Sequence, residues 1–229
     1  MKSIIFIILS TIITINGFSQ EKNAAKNLIF TDEISLNFAF NNQNKNINDY
    51  FKDKYQNYND KSITTIGVSY ATGFYFCNRF GNMLEIGYNI GQSSTNNKEQ
   101  YKRLSSATIA YTLEYDVIQE IAEHGFGNIT FRTGFGVDYT SFLFSRKNEP
   151  VDIESYSYVN YFVPINLSFW LGINRNNDKY NTKRGCIFIQ YNILAIKGDT
   201  KYTKIDSKPE DKIPNVAQNN LVIGLKRRF

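Results

Sequence analysis

The sequence has little of the chemistry on which most enzymes and metal sites depend. Its 229 residues include one histidine, His124, and two cysteines, Cys77 and Cys186. A serine–histidine–acid site acting on lipid would need its histidine near the outer rim, whereas we expect His124 in a solvated turn on the opposite side. One histidine and two distant cysteines supply neither a zinc-ligand set nor a disulfide framework. The composition favours a non-enzymatic protein without metal or cofactor, in which each cysteine is a small buried residue.

Long apolar runs are also scarce. One run, 4–15, follows Lys2 and precedes the small residues Gly17 and Ser19. This pattern is typical of a secretory signal peptide. We expect it to occupy 1–19, with cleavage after Ser19 or Gln20 and a mature domain over 20–229. An uncleaved helical anchor is the alternative, but a membrane-spanning helix needs about 20 apolar residues.

A concentrated basic surface is absent as well. The net charge is +5, and the lysines are scattered among aspartates and glutamates in segments that we expect to be loops. Nucleic-acid binding therefore has no support in the sequence.

What the chain does contain is apolar residues at every second position. This alternation predicts strands with one apolar and one polar face. Aromatic residues make up 15% of the chain, with 16 Tyr and 18 Phe, and many of them fall on the apolar faces. A closed barrel whose apolar faces contact lipid has this composition; an exported β-sandwich is the alternative. We predict eight strands and an all-β, eight-stranded antiparallel transmembrane β-barrel. The alternating segments are 34–40, 65–76, 84–91, 106–115, 129–139, 161–169, 187–193 and 219–229.

The connections between these segments differ in length. Outer-membrane barrels have short periplasmic turns and longer external loops. With both termini in the periplasm, the longer connections all fall on the outside. The predicted external loops are 41–61, 93–103, 141–157 and 197–218, and the predicted turns are 77–82, 117–127 and 173–184.

The last segment, "NNLVIGLKRRF", predicts how the barrel is assembled. Leu221, Ile223, Leu225 and Phe229 share one face of this strand. An amphipathic last strand with a terminal aromatic residue is typical of the signal that the barrel-assembly machinery binds. The alternative is an ordinary last strand that ends on a phenylalanine by chance.

The inward faces carry charges that must be paired, because an unpaired charge in a narrow lumen would be costly to desolvate. Eight strands make a barrel whose interior side chains roughly fill it. We therefore predict a plugged lumen with a salt-bridge network, in which Arg132 is the most central cation because its planar guanidinium can bind two carboxylates. This network either fixes strand register or forms a gated ion path. Its predicted members are Glu85, Glu114, Arg132, Asp138, Lys226 and Arg228, accompanied by Asn37, Asn89, Asn166, Gln190 and Asn192.

The glycines of "GFGNITFRTGFG", Gly125 to Gly136, do not indicate a phosphate-binding loop. They fall in a predicted turn and on an inward strand face, and no helix follows them, as such a loop requires.

The stretch "YFVPINLSFW", Tyr161 to Trp170, resembles a recurrent segment of the outer-membrane β-barrel domain family of Bacteroidetes. The asparagine-rich composition, the "GFSQE" junction and the terminal Phe are similar to that family too. The resemblance implies a small porin-like barrel, and some members belong to gliding and protein-secretion machinery. It carries over no catalytic residue. The proline of the family falls on Pro164, whose missing N–H predicts a bulge or weakened pairing; a simple packing kink is the alternative.

We therefore expect an integral, multi-pass protein of the bacterial outer membrane with a structural or interaction role, and more narrowly a subunit of a secretion complex. A small channel or transporter is the alternative, and a lipid- or peptide-modifying enzyme is a second one. The expected partners are outer-membrane lipids, lipopolysaccharide, the barrel-assembly machinery and a protein bound by the loops or turns. The loop residues suited to lipopolysaccharide, glycan or protein are Tyr50, Phe51, Tyr55, Tyr58, Lys201, Lys204, Lys208, Lys212, Asp199, Asp206, Glu210 and Asp211.

Overall fold

The computed structural model describes residues 29–41, 45–54, 62–76, 80–94, 100–118, 126–146, 153–171, 184–202 and 219–229. The predicted signal peptide, Cys77 and His124 lie outside these residues, as do Tyr55, Tyr58 and most of the predicted loop 197–218. The elements are β1 (Ile29–Asn41), α1 (Lys45–Lys54), β2 (Ile63–Tyr75), β3 (Phe80–Ser94), β4 (Gln100–Ile118), β5 (Phe126–Arg146), β6 (Ile153–Leu171), β7 (Arg184–Tyr202) and β8 (Asn220–Arg228).

The eight strands form one closed antiparallel barrel, which confirms the predicted fold class. Each strand pairs with the next along the chain, and β1 pairs with β8 from Glu33 opposite Arg228 to Phe40 opposite Leu221. The backbone N–H of Phe229 extends this pairing by donating to the carbonyl oxygen of Asp32 at 2.9 Å. We name the end where β1 begins and β8 ends the lower end, and the opposite end the upper end.

Side chains alternate between the wall's two sides, as the period-two pattern predicts. In β2, Ile66 and Val68 are 51% and 56% exposed, whereas Thr65 before them and Ser69 after them are buried. The apolar residues therefore cover the outside of the barrel, and small or polar residues line its lumen. Among the described residues no second protein layer covers that apolar outside, so lipid is the medium that suits it.

Aromatic side chains form a continuous row outside the lower end of the barrel. The ring centroids of Phe30 and Phe74 are 6.0 Å apart, those of Phe74 and Phe76 6.5 Å, and those of Phe76 and Phe80 6.4 Å. The ring centroids of Phe80 and Tyr115 are 4.6 Å apart. This row crosses β1 to β4 at one level, as the aromatic girdles of membrane barrels do.

The strands are longer than predicted, and two of the predicted long loops are wrong. β3 and β4 are separated only by 95–99, and β5 and β6 only by 147–152. In the extra strand length the apolar side chains change sides: Leu104, Phe142 and Tyr156 are buried on the lumen side, and the outward side chains are mostly polar. The alternation with an apolar outward face therefore does not continue into it. Backbone pairing in a hairpin continues whichever face carries the apolar side chains, which is why the sequence underestimates these strands.

Part of the predicted loop 41–61 is a helix and not a loop. It contains the helix α1, and the side chain of Phe51 on that helix is fully buried. Within the described ranges, no helix has the length and apolar character that a membrane span requires.

Pairing between β5 and β6 is interrupted beside Pro164. Thr133 pairs with Ile165, and the ladder resumes with Gly136 opposite Phe162. On its other side Pro164 lies opposite Asn192 of β7. Proline has no N–H to donate to a neighbouring strand, so the interruption lies where the sequence predicts weakened pairing.

Candidate functional site

The lower third of the lumen is filled by a cluster of buried charges, which we name the ion cluster: Glu33, Glu114, Arg132, Lys226 and Arg228. Arg132 lies between two carboxylates. Its Nη2 donates to the Oε1 and Oε2 of Glu33 at 3.0 and 2.9 Å, and its Nε donates to the Oε2 of Glu114 at 2.9 Å. Arg132, Glu33 and Glu114 are only 2%, 2% and 1% exposed. Bidentate, charge-assisted bonds of this kind are among the strongest that side chains form.

Arg228 joins the same two carboxylates from the last strand. Its Nε donates to the Oε1 of Glu33 at 2.9 Å, and its Nη2 donates to the Oε1 of Glu114 at 2.7 Å. Its Nη1 donates to the hydroxyl oxygen of Tyr75 at 2.7 Å, and that hydroxyl in turn donates to Glu114. Both carboxylates are thus bound by two guanidinium groups.

Lys226 and the aromatic residues around it complete the ion cluster. Its Nζ lies 3.9 Å from the Oε2 of Glu33, 4.9 Å from the ring centroid of Phe188 and 5.6 Å from that of Trp170. The guanidinium carbon of Arg228 lies 4.1 Å from the same tryptophan ring. Cation–π contacts of this kind gain strength when the cation is desolvated, so these rings help to hold two cations inside the barrel.

Strand register explains why these residues meet. Glu33 lies directly opposite Arg228 on β8, and Glu114 lies directly opposite Arg132 on β5. The bonds from Arg132 to Glu33 and from Arg228 to Glu114 then join the two cross-strand pairs across the lumen. Four strands are tied together at one level, and the seam between β1 and β8 is one of the joints.

Two of the six predicted network residues are not in the ion cluster, and one member was not predicted. Asp138 lies six positions farther up β5 than Arg132, and Glu85 lies opposite Ala110, four positions above Glu114. Among the described residues, neither forms a salt bridge. Glu33 is the unpredicted member, and Tyr75 is an unpredicted neutral partner of the cluster. Glu33 lies two positions before Ser35 and therefore faces the lumen as Ser35 does, but it precedes the first apolar residue of the predicted strand. Continuing the inward–outward alternation of that strand towards the lower end would have identified it.

A second plug, which we name the aromatic cap, fills the upper end of the lumen. Phe51 of α1 enters it, with its ring centroid 5.9 Å from Phe142, 4.9 Å from Phe144 and 6.2 Å from Tyr156. The sequence placed Phe51 on a solvated rim, and the structure corrects this because the helix folds back over the barrel mouth. The cap consists of Phe51, Ile63, Leu104, Phe142, Phe144, Tyr156 and Tyr158.

Between the two plugs the lumen holds a polar cavity, which we name the chamber. Its volume is ≈ 110 Å³. Ile63, Leu104 and Tyr158 of the aromatic cap border it above, and Ser69 and Glu85 border it on the side of the ion cluster. The described lining includes two carboxylates, those of Glu85 and Asp138, and no Lys or Arg.

One wall of the lumen carries a continuous chain of amide hydrogen bonds. Ser168 donates to Asn166 at 2.6 Å, Asn166 to Gln190 at 2.9 Å, Gln190 to Asn192 at 2.8 Å, and Asn192 to Asn220 at 2.8 Å. These hydrogen bonds run across β6, β7 and β8 from the ion cluster towards the chamber. They satisfy polar groups that could not otherwise be buried without cost, and they hold three strands in register.

The residues of the predicted assembly signal lie on the outside of β8. Leu221, Ile223 and Leu225 are 38%, 38% and 58% exposed, and Phe229 is 51% exposed. The guanidinium carbon of Arg227 lies 5.4 Å from the ring centroid of Phe229. One strand therefore presents an apolar outer face and, through Lys226 and Arg228, two cations to the lumen.

Cys186 is a free cysteine buried at the lower end of β7. Its Sγ lies 3.2 Å from the carbonyl oxygen of Ile187. Within the described part of the chain, no group of three or more His, Cys, Asp or Glu side chains is arranged to hold a metal ion.

Comparison with solved structures identifies the architecture. Neisserial surface protein A matches with a TM-score of 0.50 and 8% sequence identity, over 89% of this chain and 98% of that protein. This chain has the fold of the eight-stranded outer-membrane barrels. The attachment invasion locus protein Ail of Yersinia pestis also matches, with a TM-score of 0.48 and 12% identity over 87% of this chain and 98% of Ail.

Ail in complex with the heparin analogue sucrose octasulfate matches with a TM-score of 0.47 and 13% identity, over 87% of this chain and 99% of that chain. A scan against protein-family models found no match, and neither did a search of curated proteins. The likenesses therefore concern the fold.

The ion cluster predicts a large effect of a single substitution. Replacing Arg132 with Met keeps most of the side-chain volume but removes a cation that both carboxylates bind. Breaking a buried ion pair in this way destabilises a protein by about 3–5 kcal/mol, and we expect a loss of that size in urea unfolding of the barrel in phosphocholine vesicles. Arg103 on β4 is exposed, so Arg103→Met should change stability by no more than about 0.5 kcal/mol. Equal effects of the two substitutions would show that the ion cluster contributes nothing specific.

Proposed function

We propose that this protein is an integral, non-enzymatic barrel of the bacterial outer membrane with a closed lumen and a structural or interaction role in the cell envelope. The observation that carries the proposal is the combination of an apolar outer surface with a lumen filled at two levels. Ile109 and Tyr111 on β4 are 56% and 48% exposed on the outside. The ion cluster and the aromatic cap fill the inside.

The charges of the ion cluster support a structural role for the lumen. Each carboxylate is held by more than one cation, so opening a water-filled path there would require several buried salt bridges to separate. Free desolvated charges in that position are costly. The aromatic cap would have to move as well, because Phe51 lies in contact with rings on β5 and β6.

A small channel is the second candidate, and the chamber is the observation that favours it. A polar cavity already occupies the middle of the lumen, and the amide chain lines one wall of it. Rearrangement of both plugs would connect this cavity to the two sides of the membrane. The two candidates differ in whether current passes through the folded protein.

Conductance in a planar lipid bilayer distinguishes them. For purified, refolded protein we expect no sustained current above that of the bilayer alone, since eight strands enclose a lumen that side chains fill. A general diffusion porin inserted under the same conditions provides the positive control, and heat-shifted electrophoretic mobility verifies that the tested barrel is folded. Stable single-channel steps from the folded protein would overturn the closed-lumen proposal and favour the channel.

We also propose that β8 is the strand bound by the barrel-assembly machinery, with Phe229 as its terminal residue. The support is the exposed apolar row Leu221, Ile223 and Leu225, which ends beside Phe229 at the lower end. In this proposal the lower end faces the periplasm, and the partners on the outer surface are membrane lipid and lipopolysaccharide.

Substitution of Phe229 tests this assembly role. Phe229→Ala should reduce the amount of folded, heat-modifiable barrel in the outer membrane several-fold, because the machinery loses the terminal ring that it binds. Phe30 is an exposed aromatic residue of β1 at the same end of the barrel, so Phe30→Ala is the matched control and should assemble normally. An equal loss in both variants would mean that the aromatic row matters in general and the terminal residue does not.

The narrower proposal is that the barrel is a subunit of a secretion complex. It is supported by the resemblance of "YFVPINLSFW" to the Bacteroidetes barrel family. Cross-linking and affinity purification of a loop-tagged protein from native outer membranes tests it: secretion components should co-purify with it, and recovery of lipid and assembly factors alone would contradict it.

A further inference from the structure

We propose that the chamber is a binding site for one hard divalent cation of the calcium type, held by side-chain oxygen atoms. The chamber combines three properties that suit such an ion: a negative lining, unpartnered acceptor oxygens, and a volume that fits an ion with a few waters. Calcium binds six to eight oxygen ligands from carboxylates, amide carbonyls and water, in flexible geometry.

The first property is the charge of the lining. The carboxylates of Glu85 and Asp138 border the chamber, and no Lys or Arg does so in its described lining. The donors to these carboxylates are neutral: Ser69 donates to Glu85 at 2.7 Å, and Thr140 donates to Asp138 at 2.7 Å, with Asn160 as a further neutral partner of Asp138. This contrasts with the ion cluster below, where two guanidinium groups bind each carboxylate. Glu85 also borders the smaller cavity that Arg132 and Lys226 line below, whereas Asp138 forms no salt bridge among the described residues. A partly buried carboxylate without a cation is costly, and an ion bound at Asp138 would remove that cost.

The second property is a set of oxygens without a hydrogen-bond partner. Among the described residues, the Oδ1 atoms of Asn37, Asn89 and Asp138 are buried and have no donor. All three residues border the chamber, and Asn37 is only 7% exposed. Buried acceptors in native proteins are nearly always satisfied, so acceptors that face one cavity together indicate a ligand that is not part of the chain.

Gly67 shows how close two of these oxygens lie to each other. Gly67 is opposite Asn37 on β1 and opposite Asn89 on β3. A Cβ atom at Gly67 would lie 1.8 Å from the Oδ1 of Asn89 and 2.8 Å from the Oδ1 of Asn37. Both oxygens therefore face the gap that the missing side chain leaves. Two acceptors that share a gap repel each other unless a donor or a cation lies between them.

The third property is size. The chamber measures ≈ 110 Å³, which corresponds to about three or four water molecules at roughly 30 Å³ each. That space holds a single cation with a few waters to complete its shell, and it is too small for most organic ligands, which occupy pockets of about 300 Å³ or more.

Metal analysis of refolded protein tests the proposal. The full mature chain is refolded from urea into zwitterionic detergent with calcium chloride present, which excludes lipopolysaccharide and its bound metal. It is then dialysed against metal-free buffer and analysed by inductively coupled plasma mass spectrometry. We expect about one calcium per wild-type chain, as a site rich in oxygen ligands would retain.

Two variants remove ligands, and one controls for charge. Asp138→Asn and Asn37→Ala should each weaken calcium binding in titration calorimetry about tenfold or more. Asp32 is an outward carboxylate that accepts a hydrogen bond from Tyr70 at 2.8 Å, so Asp32→Asn removes the same charge outside the lumen and should keep its calcium. Heat-shifted mobility identifies the folded fraction of each variant, and Asn37→Ala provides the test if Asp138→Asn does not fold.

Two results would overturn the proposal. One is wild-type protein that retains no more calcium than a refolded Asp138→Asn or Asn37→Ala sample. Such a result would mean that the amides of Asn37 and Asn89 turn to pair with each other and that water alone occupies the chamber. The other is an equal loss of calcium in Asp32→Asn, which would assign binding to the protein's surface.

Discussion

The pairing of β1 with β8 is the constraint on which the rest of the structure depends. A sheet surrounded by hydrocarbon can have no free edge, because an unpaired backbone group in lipid costs several kcal/mol. Eight residue pairs from Glu33–Arg228 to Phe40–Leu221 close the ring. The salt bridge between Glu33 and Arg228 and the bond from Phe229 to Asp32 reinforce the same seam from the lumen and at the lower end. The barrel is therefore closed both by backbone pairing and by a salt bridge of the ion cluster.

A narrow closed ring then determines what its lumen can contain. Side chains from opposite walls reach one another, so inward charges must find partners across the barrel, as Arg132 does with Glu33. The same proximity allows one residue of α1, Phe51, to plug the upper end among the rings of β5 and β6. What remains between the plugs is a small polar space. Each of these features follows from a diameter set by the number of strands.

The sequence predicts the strands and their two faces well because alternation is a local property. It predicts the strand ends poorly, because at the upper ends of β4, β5 and β6 the apolar side chains, such as Phe142 and Tyr156, lie on the lumen side and not on the outside. Glu33 was missed because it precedes Ile34, the first residue of the predicted strand. The separation of Asp138 from Arg132 depends on the relative register of several strands, and the burial of Phe51 depends on where a helix folds. Neither the separation of Asp138 from Arg132 nor the burial of Phe51 can be predicted from the sequence of one segment alone.

The claim that lipid covers the outside of the barrel can be tested through fluorescence. Trp170, the sole tryptophan, is 2% exposed and faces the lumen, whereas Ile109 faces outward. Emission is measured from the wild type and from a Trp170→Phe/Ile109→Trp variant, both refolded into vesicles of lipids brominated on their acyl chains. The account predicts that the bromines quench most of the emission of the tryptophan at position 109 and leave Trp170 nearly unchanged. Emission at position 109 that is insensitive to bromine would contradict it, because that side of the wall would then face protein or water.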